Sequence, residues 1–235
     1  MTNGFQEFFS EVEPIVLREP LAETLGAFSA GTATPAGRPA SASPEAAHVA
    51  GGLFSYSFVD LVKMAGHACP TMAGSWLACQ AGLRALYPGE TPVRGQVAVT
   101  VYGDPDEGTF GVMGQAFTFL TGAAPVTGFK GLGPLFKRKD LLSYSREKPD
   151  PQAMCFELRR TDTGAAVLVK FSPRQIPFPA EKGRRMGELM EKVVWEAAQP
   201  GESAEFRELW MEKVRMMLVE KKQIADWLAV EERRA

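Results

Sequence analysis

The sequence predicts an α+β fold: a mainly antiparallel sheet packed against helices, with a helical appendage at the amino end and helices at the carboxyl end. Three observations lead there. Residues 96–102 alternate around Val97, Val99 and Val101, which marks a strand with one buried face. Cys155–Arg160 and Ala165–Phe171 are β-rich runs flanking Thr161-Asp162-Thr163-Gly164, a hairpin signal. Helical patterns lie before, between and after these strands rather than in regular βαβ alternation.

Taken in order, residues 3–27 read as one or two short helices broken at Pro14 and Pro20, with Pro20 in a first-turn position. The stretch 29–47 is small, Pro-rich and almost uncharged, and reads as a linker. Leu53–Phe58 alternates and suits a short strand; Val59–Met64 suits a short helix. Pro70–Tyr87 reads as a helix that ends before Pro88-Gly89. Its Ala73, Gly74, Ser75, Ala78, Ala81 and Gly82 let other backbone approach closely. Thr109–Ala123 reads as a buried helix, although its aromatics and threonines also suit a strand. After the hairpin, residues 172–180 form a Pro-rich connector, 181–198 a helix stopped by Pro200-Gly201, and 203–228 a longer helix with one apolar stripe. The resulting organisation is an appendage over 1–28, a linker over 29–50, an α+β core over 51–180 and a helical segment over 181–235.

Composition narrows the function classes. The 235 residues carry 26 Lys+Arg against 28 Asp+Glu, a balance that argues against nucleic-acid binding through bulk positive charge. No charged side chain occurs between Lys63 and Arg84, or between Glu107 and Lys130. Each interval is long enough to span a membrane. The first, however, holds His67, Pro70, Ser75 and Gln80, and the second holds Gln115, Pro125 and several Gly and Thr. Both read as segments packed inside a protein with no membrane span. The amino terminus lacks the basic start and apolar run of a signal peptide. Three cysteines, Cys69, Cys79 and Cys155, follow no disulfide framework, so a reducing cytoplasm is the expected location.

The chemistry concentrates at Gly66-His67-Ala68-Cys69-Pro70-Thr71. With Pro70 at the first helical position, Cys69 falls at the N-cap, facing the free N–H groups of Thr71 and Met72. The positive end of the helix dipole favours the thiolate there. Two readings follow. In one, His67 and Cys69 both bind a transition metal. In the other, the chain is a transferase or hydrolase: His67 assists a Cys69 nucleophile, or an open metal position activates water, for a small anionic substrate. The plain alternative is a cysteine that packs and a histidine that satisfies a turn. The other nitrogen and sulfur ligands are His48, Cys79 and Cys155. Cys79 lies about 15 Å along the same helix, so a closed four-ligand zinc site within one chain is hard to build. Any metal keeps open positions, takes a carboxylate or borrows ligands across a dimer.

A second candidate is Thr127-Gly128-Phe129-Lys130-Gly131-Leu132-Gly133-Pro134, followed by Lys137-Arg138-Lys139. Glycines let backbone N–H groups approach an anion, and Lys130 and Arg138 add charge, so Lys130, Gly131, Gly133 and Arg138 are candidate ligand-binding residues. The P-loop spacing is absent. A mobile surface loop with a solvated basic run is the competing reading.

At Gly66-His67-Ala68-Cys69-Pro70 the sequence resembles the FmdE-like family of formylmethanofuran dehydrogenase components, which opens its core with a G-H-x-C-P segment and a small-residue helix. Val93-Arg94-Gly95, Leu120-Thr121-Gly122 and Gly128–Gly133 are similar to later elements of that family, and the resemblance covers roughly residues 53–171. It implies an α+β domain that binds a metal ion, most often zinc, commonly as a homodimer, with His67 and Cys69 as ligands. The family name also suggests a redox-enzyme partner. Ala65 stands where the family often has a further His, and Val112 and Gln115 stand where it commonly has Cys and Asp. The Cys-rich ribbon at the carboxyl end is absent.

Overall fold

The computed structural model describes residues 6–27 and 52–233. His48 and the expected linker at 29–50 lie outside them. The architecture is α+β, built on a five-stranded sheet that packs against helices.

The amino-terminal piece starts with a 3₁₀ turn at Glu7–Glu11, then β1 (Ile15–Arg18) and α1 (Pro20–Thr24). The sequence pattern predicts helix where β1 is found. Pro14 and Pro20 leave too few residues between them for a helix. Ile15 and Leu17 face inward while Val16 and Arg18 face out, the two-residue period of a strand. It pairs antiparallel with β2 (Leu53–Tyr56). Phe8, Phe9, Ile15 and Leu17 join the main hydrophobic core, so the piece is firmly docked.

Next come α2 (Phe58–Ala65), capped by a Ser57/Asp60 capping box, and α3 (Pro70–Leu86). Helix α3 is buried on nearly every side from Met72 to Leu83, which explains why no charged side chain precedes Arg84 in it. It packs across β7 (Met154–Arg160) and β8 (Ala166–Phe171) and beside α4 (Phe110–Thr121). The expected helix at 109–123 is therefore α4, closed by Gly122 in the left-handed conformation.

The sheet has the order β6-β3-β7-β8-β9, with β3 spanning Val97–Tyr102, β6 Leu142–Ser145 and β9 Leu228–Arg233. Only the β3–β6 pair is parallel. Val97, Val99, Val101, Phe156, Leu158, Val167, Val169 and Phe171 are buried and belong to the main core. Polar pairs such as Arg159–Glu157 and Lys170–Glu231 involve the intervening residues. Strands β4 (Gly131–Leu132) and β5 (Phe136–Lys137) form a separate small hairpin.

At the carboxyl end, α5 (Ala180–Val194) and α6 (Pro200–Arg215) form an antiparallel pair laced by Lys182–Glu212, Arg185–Glu205 and Lys192–Glu202. The helix expected over 203–228 does not run through. It passes into a π turn at Met216–Glu220, reverses at Lys221 and Gln223, both at φ 49°, makes the single turn α7 (Ile224–Trp227) and then enters β9. Among the described residues, no helix is long and apolar enough to cross a membrane.

Candidate functional site

The His67/Cys69 segment connects α2 to α3. Gly66 ends α2 in the left-handed conformation, at φ 77°, which a glycine adopts without strain. Cys69 follows in extended conformation as the N-cap of α3, with Pro70 at the first helical position. Its Sγ accepts a hydrogen bond from Met72 N–H at 3.4 Å, so sulfur occupies the place usually taken by a serine or aspartate oxygen. The expected N-cap geometry is present. Trp210 of α6 donates its indole N–H to the Ala68 carbonyl at 2.9 Å, tying the segment to the carboxyl-terminal helices. Cys69 is only 6% exposed, whereas His67 is exposed.

The ring of His67 has Nδ1 3.1 Å from the Ala65 carbonyl. A carbonyl can only accept, so Nδ1 carries the proton in this contact and Nε2 keeps its lone pair in the neutral ring. That is the tautomer a metal-binding histidine uses. The donor chemistry therefore suits a transition metal, but the number of donors does not complete a site. Among the described residues, no group of three or more His, Cys, Asp or Glu side chains could hold a metal ion. Cys79 is buried inside α3, where burial pushes its thiol well above the ordinary range. Cys155 is buried in β7 with its thiol also raised by burial.

The Gly/Lys-rich stretch divides into two environments. Gly131 sits at φ 85°, and a Cβ there would lie 1.8 Å from the Phe136 carbonyl oxygen. Glycine is thus required for closing the β4–β5 hairpin. Gly133, at φ 57°, serves the turn. Lys130 is exposed, and its carbonyl accepts from Arg138 N–H at 3.0 Å. Arg138 is instead 5% exposed and turns away from the other basic residues of its run.

There Arg138 and Arg94 share one carboxylate, that of Glu19. Arg138 Nη2 donates to Glu19 Oε1, and Arg94 Nη1 donates to Glu19 Oε2 at 2.8 Å. Arg94 also donates from Nε to the Leu120 carbonyl at 3.1 Å and from Nη2 to the Phe119 carbonyl at 2.9 Å. Glu19 caps α1 as well, accepting from Leu21 N–H at 3.1 Å. Burial works to raise the Glu19 pKa, but the hydrogen bonds and charges of Arg138 and Arg94 outweigh it and hold the carboxyl below its ordinary value. The three side chains border a cleft of about 410 Å³ whose apolar lining includes Leu21, Leu25, Phe54 and Phe129. Neither His67, Cys69 nor Lys130 lines it.

Glu19 has only one local signal, its place before Pro20. Its partners are 75 and 119 residues away, a separation no local pattern encodes. No protein-family model matches the chain, and no curated protein matches it significantly.

Proposed function

We propose that this chain is a metal-binding protein that holds a transition metal, zinc first among them, through His67 and Cys69, with the remaining donors supplied by a second copy. The observation that carries the reading is the arrangement at the start of α3. A cysteine sulfur receives a helix N–H, and a histidine two residues earlier has Nδ1 3.1 Å from a backbone carbonyl, a contact made by the tautomer that leaves Nε2 free. Hydrogen bonds of this kind orient metal ligands. The G-H-x-C-P resemblance supports the same pair and the homodimer. Zinc held there would supply a Lewis acid. All three cysteines are free, which supports a reducing compartment such as the cytoplasm. A nucleophilic role for Cys69 has less support, because attack requires open access to sulfur and the residue is 6% exposed.

Elemental analysis of the purified chain tests the proposal. The expected result is near-stoichiometric zinc in the natural protein and its loss from the His67→Ala/Cys69→Ser double variant, in which serine retains an N-cap oxygen. Stoichiometric metal in the folded double variant would refute the assignment. Light scattering tests the second copy: a metal-loaded monomer would refute completion across a dimer.

A further inference from the structure

We propose that the cleft beside Glu19, Arg94 and Arg138 binds a small organic carboxylate with an apolar body. Charge is the first indication. Two guanidinium groups surround one carboxylate, and all three side chains are largely buried: 15% exposed for Arg94, 7% for Arg138 and 4% for Glu19. Arginine does not lose its proton in proteins. The cluster thus carries one unmatched positive charge in a place poorly reached by water, where unpaired charge is costly.

Hydrogen bonding points the same way. Arg94 spreads its donors over Glu19, Leu120 and Phe119. Arg138 gives only Nη2 to Glu19, and among the described residues its Nε and Nη1 find no acceptor. Those nitrogens pack closely against two glycines. A Cβ on Gly95 would stand 2.9 Å from Nε, and one on Gly122 would stand 2.9 Å from Nη1. Glycine at both positions lets the guanidinium pack against backbone, and its N–H groups without an acceptor suit a carboxylate oxygen arriving from the cleft that Arg138 lines. Gly122 lines the cleft, and the Phe129 ring flanks the guanidinium, its centroid 5.8 Å from Arg138 Cζ.

Shape and polarity select the class of ligand. One surplus charge matches a monoanion, and a planar guanidinium edge matches a carboxylate. A phosphate monoester carries nearly two charges and would leave the cluster over-neutralised. The walls formed by Leu21, Leu25, Phe54 and Phe129 suit a hydrocarbon or aromatic body, and 410 Å³ lies in the range of small-molecule sites.

Calorimetric titration of the full chain at neutral pH with octanoate, octanamide and inorganic phosphate tests this. Octanoate is expected to bind saturably, octanamide at least about tenfold more weakly because it lacks the charge, and phosphate not to compete. Arg138→Gln is expected to weaken octanoate by about tenfold or more. Because that substitution strips Glu19 of a buried partner, Phe129→Ala provides a second reading at a half-exposed ring: several-fold weaker binding with an unchanged melting temperature. The proposal is overturned if octanoate does not saturate, if the amide binds equally well, if phosphate displaces octanoate, or if Phe129→Ala leaves affinity unchanged.

Discussion

Glu19 shows how much one side chain can depend on its surroundings. In an unfolded chain it is an ordinary carboxylic acid with a pKa of about 4.3. In the fold it is 3% exposed, takes hydrogen bonds from two arginines and the α1 backbone, and titrates lower. A carboxyl whose folded pKa is depressed contributes stability above its unfolded pKa and loses it as pH falls through the folded value. Glu19→Gln is therefore expected to cost about 3 kcal/mol at neutral pH, because it leaves two buried guanidinium groups without a counter-charge. Its stability should also fall less steeply than the natural protein's on acidification below about pH 5, as urea melts at several pH values would show. At Cys69 the expectation concerns capping. Cys69→Ala should lose about 1 kcal/mol of α3 stability, and Cys69→Ser should recover most of it, measured by thermal melts without metal.

At the scale of elements, α3 is defined by what it lacks. A Cβ on Gly74 would lie 2.4 Å from the Phe171 ring, and one on Gly82 would lie 2.8 Å from Leu158 and 2.9 Å from Val169. Those side chains are buried and stiff, with little room to yield. Gly74→Ala and Gly82→Ala gain helix propensity yet should destabilise by about 1–3 kcal/mol through overpacking. Gly187, inside α5, faces open space. Gly187→Ala should stabilise by about 0.5–1 kcal/mol, having the propensity gain without the clash. Urea midpoints of the three variants check the contrast; a stabilising Gly74→Ala would refute close packing of α3 on β8.

The whole molecule is closed by its carboxyl end. Strand β9 pairs with β8 over six residues, and Trp227 just before it is 1% exposed. Without them, β8, composed almost entirely of buried apolar residues, would present a free edge. Deleting residues 224–235 should therefore lower the melting temperature and promote aggregation visible by light scattering. The amino-terminal piece adds Phe8 and Phe9 to the core, pairs β1 with β2, meets α6 through Glu11–Arg215 and brings Glu19 to Arg94 and Arg138. The carboxylate cleft lies where residues from the two ends of one long-range network meet.

Local physics made several elements legible in the sequence: the valine alternation of β3, the β7–β8 hairpin, the capped small-residue helix α3 and the N-cap position of Cys69 all follow from neighbours within a few residues. Tertiary structure decided the rest. Strands β1 and β9 depend on partners, since short runs beside prolines or after a helix gain strand geometry only when a neighbouring edge accepts their hydrogen bonds. Arg138 is visible in the sequence as one member of a basic run, but only the fold separates it from exposed Lys130 and buries it against Glu19. A charge pattern shows which side chains are ionic; which of them loses its water is set by contacts between residues far apart in the chain.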